Sequence, residues 1–429
     1  MIASLRKLIA GDFARHGALV FLTTTTINVL GYAFHFAISR KVGVEQYGEL
    51  AALNAGYMIS MVFSTITATV IVKYAAEFRV LGDAAHLAGL SRRLCMYGLV
   101  VGMACALLGL AAAAPIATYL KIPNVSAVSL ALVVMALSFI TPTLRSVFIG
   151  IEDFSIYSIS SIMESGLKAL LGIGFVYAGY GVTGAFGGWA LGVLITVAYT
   201  MTVLLARYRK TPATEVKVNF RRLAVTMAGV SACTILLTSL GYADVIIVKH
   251  YADPTTAGLY GALSLSGKIL LFVVGFVPTV LLPKASRQAL SGTSPVRILI
   301  IAVGVVLGFS SVGLVGYYFL PGFIVTTLAG PSFAPATPYV FFYGVAMVLL
   351  AALTTVTTYK IGIHRFDFVL PLAACAVAEL VGISVYHRSL TEIIGVLIAG
   401  NSLALIASVY RINAPLRSIA HAQRSDAAA

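Results

Sequence analysis

Along almost its whole length the chain alternates apolar runs of about 20 residues with short polar interruptions, and this constrains its fold more than any other feature. As a helix rising about 1.5 Å per residue, each run covers the roughly 30 Å of a hydrocarbon core. In lipid every backbone N–H and C=O must find a partner without water, which helices do internally. An all-α integral membrane protein is therefore expected. A length of 429 residues would otherwise point to two or three soluble domains, but 59% hydrophobic and 10% charged residues overrule that reading. No stretch is left for a sizeable soluble domain.

Windows of about 19 residues place twelve spans near 17–40, 48–74, 94–120, 125–148, 155–178, 182–206, 223–249, 258–283, 296–320, 336–359, 366–386 and 390–411. The interruptions carry turn-forming residues: KIPN at Lys121–Asn124, GYG at Gly179–Gly181, ADPTTAG at Ala252–Gly258 and GPSFAPATP at Gly330–Pro338. With the start inside, about 22 lysines and arginines fall on the cytoplasmic side and about 5 outside, a bias that reads as both termini cytoplasmic. Those loops account for the net charge of +14. No basic segment is interleaved with aromatics, so nucleic acid is not an expected partner. The opening MIASLRKLIAGDFARHGALVF lacks a compact apolar core with a small-residue cleavage site, so a short amphipathic helix feeding the first span is expected there. Cys95, Cys105, Cys233 and Cys375 lie in apolar runs without a CxxC pair or a histidine at metal spacing, so buried thiols and no metal site are expected.

The longest polar interruption, RYRKTPATEVKVNFRRL from Arg207 to Leu223, lies near the midpoint and divides six spans from six. Two six-helix lobes are expected at 1–208 and 223–412, joined by a cytoplasmic linker at 209–222 and followed by a cytoplasmic tail at 413–429. FIGIEDF (Phe148–Phe154) after span 4 matches KIGIHRF (Lys360–Phe366) after span 10, sharing I-G-I-x-x-F at an offset of about 212. RKVGVEQYGELAAL (Arg40–Leu53) lies beside HYADPTTAGLYGAL (His250–Leu263) at nearly the same offset and aligns Gly48 with Gly258. With an even number of spans in each, the halves run the same way through the membrane, related by an axis along its normal.

The charged turn ending in YGEL, its second copy AGLYGAL, the prolines Pro278 and Pro283 closing span 8, and FIGIEDF together resemble the polysaccharide-exporter branch of the multidrug/oligosaccharidyl-lipid/polysaccharide (MOP) superfamily. The resemblance covers roughly the whole chain. It implies a MATE-like, V-shaped pair of six-helix lobes around a central cavity that opens alternately inward and outward. It also implies that a polyprenyl-pyrophosphate-linked oligosaccharide is carried across a bacterial inner membrane for surface polysaccharide assembly. The superfamily's drug/cation antiporters share that fold, so a proton- or sodium-coupled multidrug antiporter is the alternative. A scaffold of an assembly complex that transports nothing is a third reading.

Ionisable residues at span centres cost about 2.5–3.5 kcal/mol on insertion scales, so each needs a partner or a wet cavity. Lys268 lies about ten residues, or roughly 15 Å, into span 8, with no carboxylate within a turn. A cation there is expected to face a cavity and attract a pyrophosphate or acidic sugar. Glu164 and Lys168 in span 5 have the i, i+4 spacing and polarity of an intrahelical ion pair. Glu379 in span 11 falls within about a turn of where Glu164 maps under the repeat. Asp244 in span 7 is about 140° around the helix from Lys249, so it needs another partner: Arg40 or Lys41, a cation on span 8, or a coupling ion. The expected cavity set is thus Lys268, Lys168, Arg40 and Asn28, the last within TTTTINV (Thr23–Val29). Asp244, Glu164 and Glu379 are the ion-coupling or gating candidates, and Lys73, Arg145 and Lys284 are placed at the cytoplasmic entrance.

An exporter of anionic lipid-linked sugar predicts positive cavity walls and a cation antiporter acidic ones. The candidates Lys268, Lys168, Arg40 and Lys73 outnumber Glu164, Asp244 and Glu379 only slightly. No Walker-type GxxxxGK[ST] is present and the outer loops are too short for a catalytic domain, so neither an enzyme nor direct use of ATP is expected. No cofactor is expected beyond coupling to H+ or Na+. The expected partners are the anionic lipid-linked oligosaccharide, membrane lipids, and polysaccharide polymerase and chain-length proteins, around a monomeric transporter.

Overall fold

The computed structural model describes residues 2–214, 220–290 and 296–410, with side chains from Arg15 onward except at 17, 220–227 and 288–290. The expected tail at 413–429 and the linker residues 215–219 lie outside the described residues. All regular elements among those described are helical: α1 (Ile2–Val80), α2 (Ala84–Tyr119), α3 (Val125–Leu137), α4 (Ile140–Gly150), α5 (Phe154–Phe175), α6 (Gly181–Arg207), α7 (Phe220–Tyr251) and α8 (Pro254–Val273). Then come α9 (Phe276–Leu290), α10 (Val296–Phe319), α11 (Pro321–Leu328), a 3₁₀ segment (Pro331–Tyr339), α12 (Val340–Gly362), α13 (Val369–Val385) and α14 (Leu390–Val409). Nine stretches of the described residues are long and apolar enough to cross a membrane. The chain is a multi-pass, all-α membrane protein.

Two of these stretches, Ala18–Val80 with 63 residues and Phe154–Arg207 with 54, are more than twice as long as one crossing needs. Each folds back at glycine. Gly43 has φ 79°, and beyond it Tyr47 Oη returns to within 3.2 Å of His35 Nδ1. Twelve residues of straight helix would hold those positions about 18 Å apart. The sequence predicts a loop at 41–47, but the helix continues there with only Gly43 out of helical geometry, because one left-handed residue is enough to turn the chain. The second reversal lies at Gly179 and Gly181, with φ of 99° and 55°. After it α6 packs so closely on α5 that a Cβ on Gly188 would meet the backbone of Leu171 and Gly172.

Helix starts follow local chemistry. Asp83, Asn124, Asp153, Asp253 and Ser389 each accept a bond from a first-turn backbone N–H, with Pro254 following Asp253. Pro115 in α2 and Pro283 in α9 sit inside helices.

The chain divides into two compact units, Met1–Met227 and Ala228–Ala429. Their internal geometry repeats. Glu152 and His364, equivalent in the I-G-I-x-x-F turns, are both left-handed, at φ 56° and 54°. In one turn Ile151, Glu152 and Asp153 donate their N–H groups to Val147, Ile149 and Phe148 carbonyls; in the other Ile363, His364 and Arg365 donate to Tyr359, Ile361 and Lys360. The preceding glycines match as well. A Cβ on Gly150 would lie 2.6 Å from Ala75 Cβ, and one on Gly362 would lie 3.0 Å from Ala285 Cβ. Close helix contact demands glycine at both places.

Candidate functional site

Among the described residues each unit buries a polar centre built on intramembrane charges. In the first, α4 presents Arg145 to α5: Nε donates to Ser160 Oγ at 2.9 Å, and Nη2 donates to Ser160 O at 2.8 Å and Glu164 Oε2 at 2.5 Å. The side chains of Arg145 and Glu164 are only 11% and 12% exposed. Arg145 is therefore not a residue extended to the interface, as the entrance assignment expects. Glu164 spends its hydrogen bond on Arg145, while Lys168 stays within its electrostatic reach. The guanidinium is planar and forked, so it meets a carboxylate and a carbonyl together.

Lys168 is held by rings. Its Nζ lies 3.5 Å from the centroid of Trp189 on α6 and 4.7 Å from that of Phe34 on α1. Tyr57 packs edge-on to Trp189 with centroids 4.5 Å apart, and its hydroxyl is in electrostatic reach of Glu164 and Arg145. The formal charge of this centre, Arg145 and Lys168 against Glu164, is one positive.

The second centre lies among α7, α8, α12, α13 and α14. Asp244, 1% exposed, accepts hydrogen bonds at Oδ2 from Tyr260 Oη on α8 at 2.6 Å and from Tyr343 Oη on α12 at 3.1 Å. Of the partners considered for Asp244, the cation on span 8 is Lys268, which feels its charge without forming an ion pair. Lys268 Nζ instead donates to Ser264 Oγ at 2.5 Å and sits 4.1 Å from the ring centroid of Tyr242. Glu379 on α13 is 2% exposed and interacts electrostatically with Asp244. Neither oxygen of Glu379, nor Asp244 Oδ1, nor either polar atom of Asn401 on α14 has a hydrogen-bond partner among the described residues. Gly400 makes room for Glu379, because a Cβ there would run into its carboxylate. Lys268 against Asp244 and Glu379 leaves one formal negative charge.

The two centres occupy matching places. Under the repeat offset of about 212, Asn401 maps onto Trp189 and Glu379 falls beside Lys168, while the slightly shorter offset of the first repeat sets Asp244 on Phe34. Where the first unit has an ammonium among aromatic rings, the second has two carboxylates and an amide.

The remaining candidates are exposed on their own units. Arg40 is exposed, with its guanidinium 3.6 Å from the Phe36 ring centroid. Asn28, Lys73 and Lys284 are exposed. In the threonine run, Thr23, Thr24 and Thr26 donate to carbonyls one turn back, and Thr23 also bonds Ser158 on α5, so these hydroxyls are occupied structurally. Sequence reasoning missed Tyr260, Tyr343, Trp189 and Asn401. Asn401 could have been found as a lone amide inside an apolar run and Trp189 as the single tryptophan; Tyr260 and Tyr343 give no signal among 21 tyrosines.

No protein-family model matches the chain, and no curated protein matches it. Solved structures do. One described as the inward-facing conformation of a multidrug-resistance MATE family transporter of the MOP superfamily aligns with a TM-score of 0.76 at 11% identity, covering 93% of this chain and 96% of the other. The lipid II flippase MurJ, in an inward closed conformation, aligns at 0.61 and 14%, covering 93% and 87%. A MOP superfamily transporter from Pyrococcus furiosus, described by a reverse polarity of its binding pocket that suggests a different function, aligns at 0.55 and 12%, covering 94% and 96%. The likeness is one of fold, and the chain has a MATE-like transporter fold.

Proposed function

We propose that this protein is an alternating-access flippase of the bacterial inner membrane. It moves a polyprenyl-pyrophosphate-linked oligosaccharide to the outer leaflet for surface polysaccharide assembly, using a proton or sodium gradient. In this reading the chain crosses twelve times in two pseudo-symmetric lobes around a central cavity, with both termini cytoplasmic. The observation that carries it is the sign of the first unit's centre, where Arg145 and Lys168 outweigh Glu164. A pyrophosphate supplies the missing negative charge. Asn28 and Arg40 extend the substrate's path, and exposed Lys73 and Lys284 attract the anionic headgroup at the entrance.

The second unit's centre serves coupling in this account. Three carboxylate oxygens on Asp244 and Glu379 without hydrogen-bond partners favour uptake of a cation or proton, which lowers the cost of burying two acids together. Occupancy then biases the rocking of one lobe against the other, as binding better to one state must. Support also comes from the fold shared with a lipid II flippase. The same carboxylates favour the second reading, a drug/cation antiporter, if an organic cation takes the coupling ion's place. A proteoliposome assay separates the two by following exposure of a polyprenyl-pyrophosphate oligosaccharide to an external glycosidase, in parallel with uptake of a fluorescent organic cation. The flippase reading requires movement of the first and none of the second.

A further inference from the structure

An open cavity of about 570 Å³ in the first unit, remote in sequence from Lys168 and Trp189, is lined by three segments at the edge of the apolar zone. Arg15 and His16 precede the apolar run that begins at Ala18; Asp153 starts α5; Arg207 ends α6. One wall is charged and the other, with Leu19, Leu22 and Phe154, is apolar.

Within the lining Arg15 and Arg207 balance Glu152 and Asp153, but Arg79 from outside it adds a further positive charge. Glu152 is engaged by Arg79 at 2.6 Å and Asp153 by Arg207 at 2.5 Å, so both acids are already matched by arginines. Arg15 is exposed, and no ion pair joins it to an acid among the described residues. Beside it the His16 ring packs on Phe154 with centroids 5.0 Å apart, and the exposed Ser155 also lines the cavity. One unmatched positive charge at a membrane boundary calls for one negative charge. The apolar wall continues into the span: Ala18, Leu22, Thr25 and Val29 follow one another on a single exposed face of α1, Leu22 and Val29 being 61% and 62% exposed. That track runs about 16 Å along the helix, a length that takes an acyl chain.

We propose that this cavity holds a phospholipid with a monoanionic phosphodiester headgroup, its phosphate on Arg15 and one acyl chain along the Ala18–Val29 face. A free phosphate would satisfy Arg15 but leave the track uncovered. A zwitterionic lipid would bring an ammonium to a site whose acids are already engaged.

Native mass spectrometry of the full chain, released from detergent and titrated with phosphatidylglycerol, phosphatidylcholine or inorganic phosphate, tests it. One tightly retained phosphatidylglycerol is expected, with Arg15→Ala weakening its apparent affinity about fivefold, Arg15→Lys keeping most of it, and Arg287→Ala, in the second unit, changing nothing. Leu22→Trp, which blocks the track without touching the charge, should weaken phosphatidylglycerol and leave phosphate unaffected. Unchanged affinity in both Arg15→Ala and Leu22→Trp would overturn the site. So would an equal loss in Arg287→Ala, equal retention of phosphatidylcholine, or displacement of the lipid by millimolar inorganic phosphate.

Discussion

Burying an arginine beside a glutamate makes each dependent on the other. Removing one partner of such a pair typically costs about 3–5 kcal/mol, because the other charge stays buried alone. Glu164→Gln and Arg145→Met should each lower the thermal midpoint in detergent, whereas the double variant Arg145→Met/Glu164→Gln should lose less than the two single losses added together. Additive losses, measured by tyrosine and tryptophan fluorescence during melting, would mean that the pair is not coupled. In the other unit, Tyr260→Phe and Tyr343→Phe each take one donor from Asp244 Oδ2 and should cost about 1.5–3 kcal/mol, the range for hydrogen bonds to charged groups. Equal stability of both variants would show that the carboxylate is neutral or solvated. The sequence reveals which residues are costly in lipid, but not what relieves them. Asp244 and Tyr343 lie 99 positions apart, and the i, i+4 spacing that joins Glu164 to Lys168 gives no hint that an arginine on the neighbouring helix takes the hydrogen bond instead.

At the scale of elements, caps and close contacts decide where helices start and how near they come. The Asp253 carboxyl is held below the usual carboxylate range by hydrogen bonds from Thr256 and then Thr255, so its capping is complete above the unfolded value near 4 and is lost as pH falls through the lower folded value. Asp253→Ala should therefore cost about 1 kcal/mol at pH 7 and progressively less under acid, as read from thermal melts across pH. A constant penalty at all pH values would sink that explanation. Gly150→Val must push against Ala75 and the Val72 carbonyl and should destabilise by about 1–3 kcal/mol, while Gly174→Ala, with nothing within 4 Å, should be neutral or mildly stabilising. Much of this level was legible: the apolar runs, the punctuation at Gly179–Gly181 and Asp253–Pro254, and the repeated I-G-I-x-x-F turn all correspond to features of the structure. The helix through 41–47 was not, because its polar residues look like a loop and only the backbone of Gly43 shows where the chain turns.

Across the whole molecule, two units repeat local geometry, and their buried polar centres carry formal charges of opposite sign. Composition could not show this, since a near-even tally of intramembrane charges conceals which charges share a unit. In the proposed division of labour the positive centre reads the substrate and the negative centre reads the gradient. The most direct measurement is the rate at which a polyprenyl-pyrophosphate oligosaccharide becomes accessible outside proteoliposomes, with and without an imposed proton or sodium gradient, in four proteins: the unaltered chain, Lys168→Gln, Asp244→Asn and Glu379→Gln. Lys168→Gln should slow flipping at least about tenfold, a loss of about 1.4 kcal/mol, while keeping its response to the gradient. Asp244→Asn and Glu379→Gln should keep slow flipping and lose that response. If the unaltered protein leaves the lipid-linked sugar inside but takes up an organic cation that Asp244→Asn cannot, the central claim is contradicted and the chain is a cation antiporter.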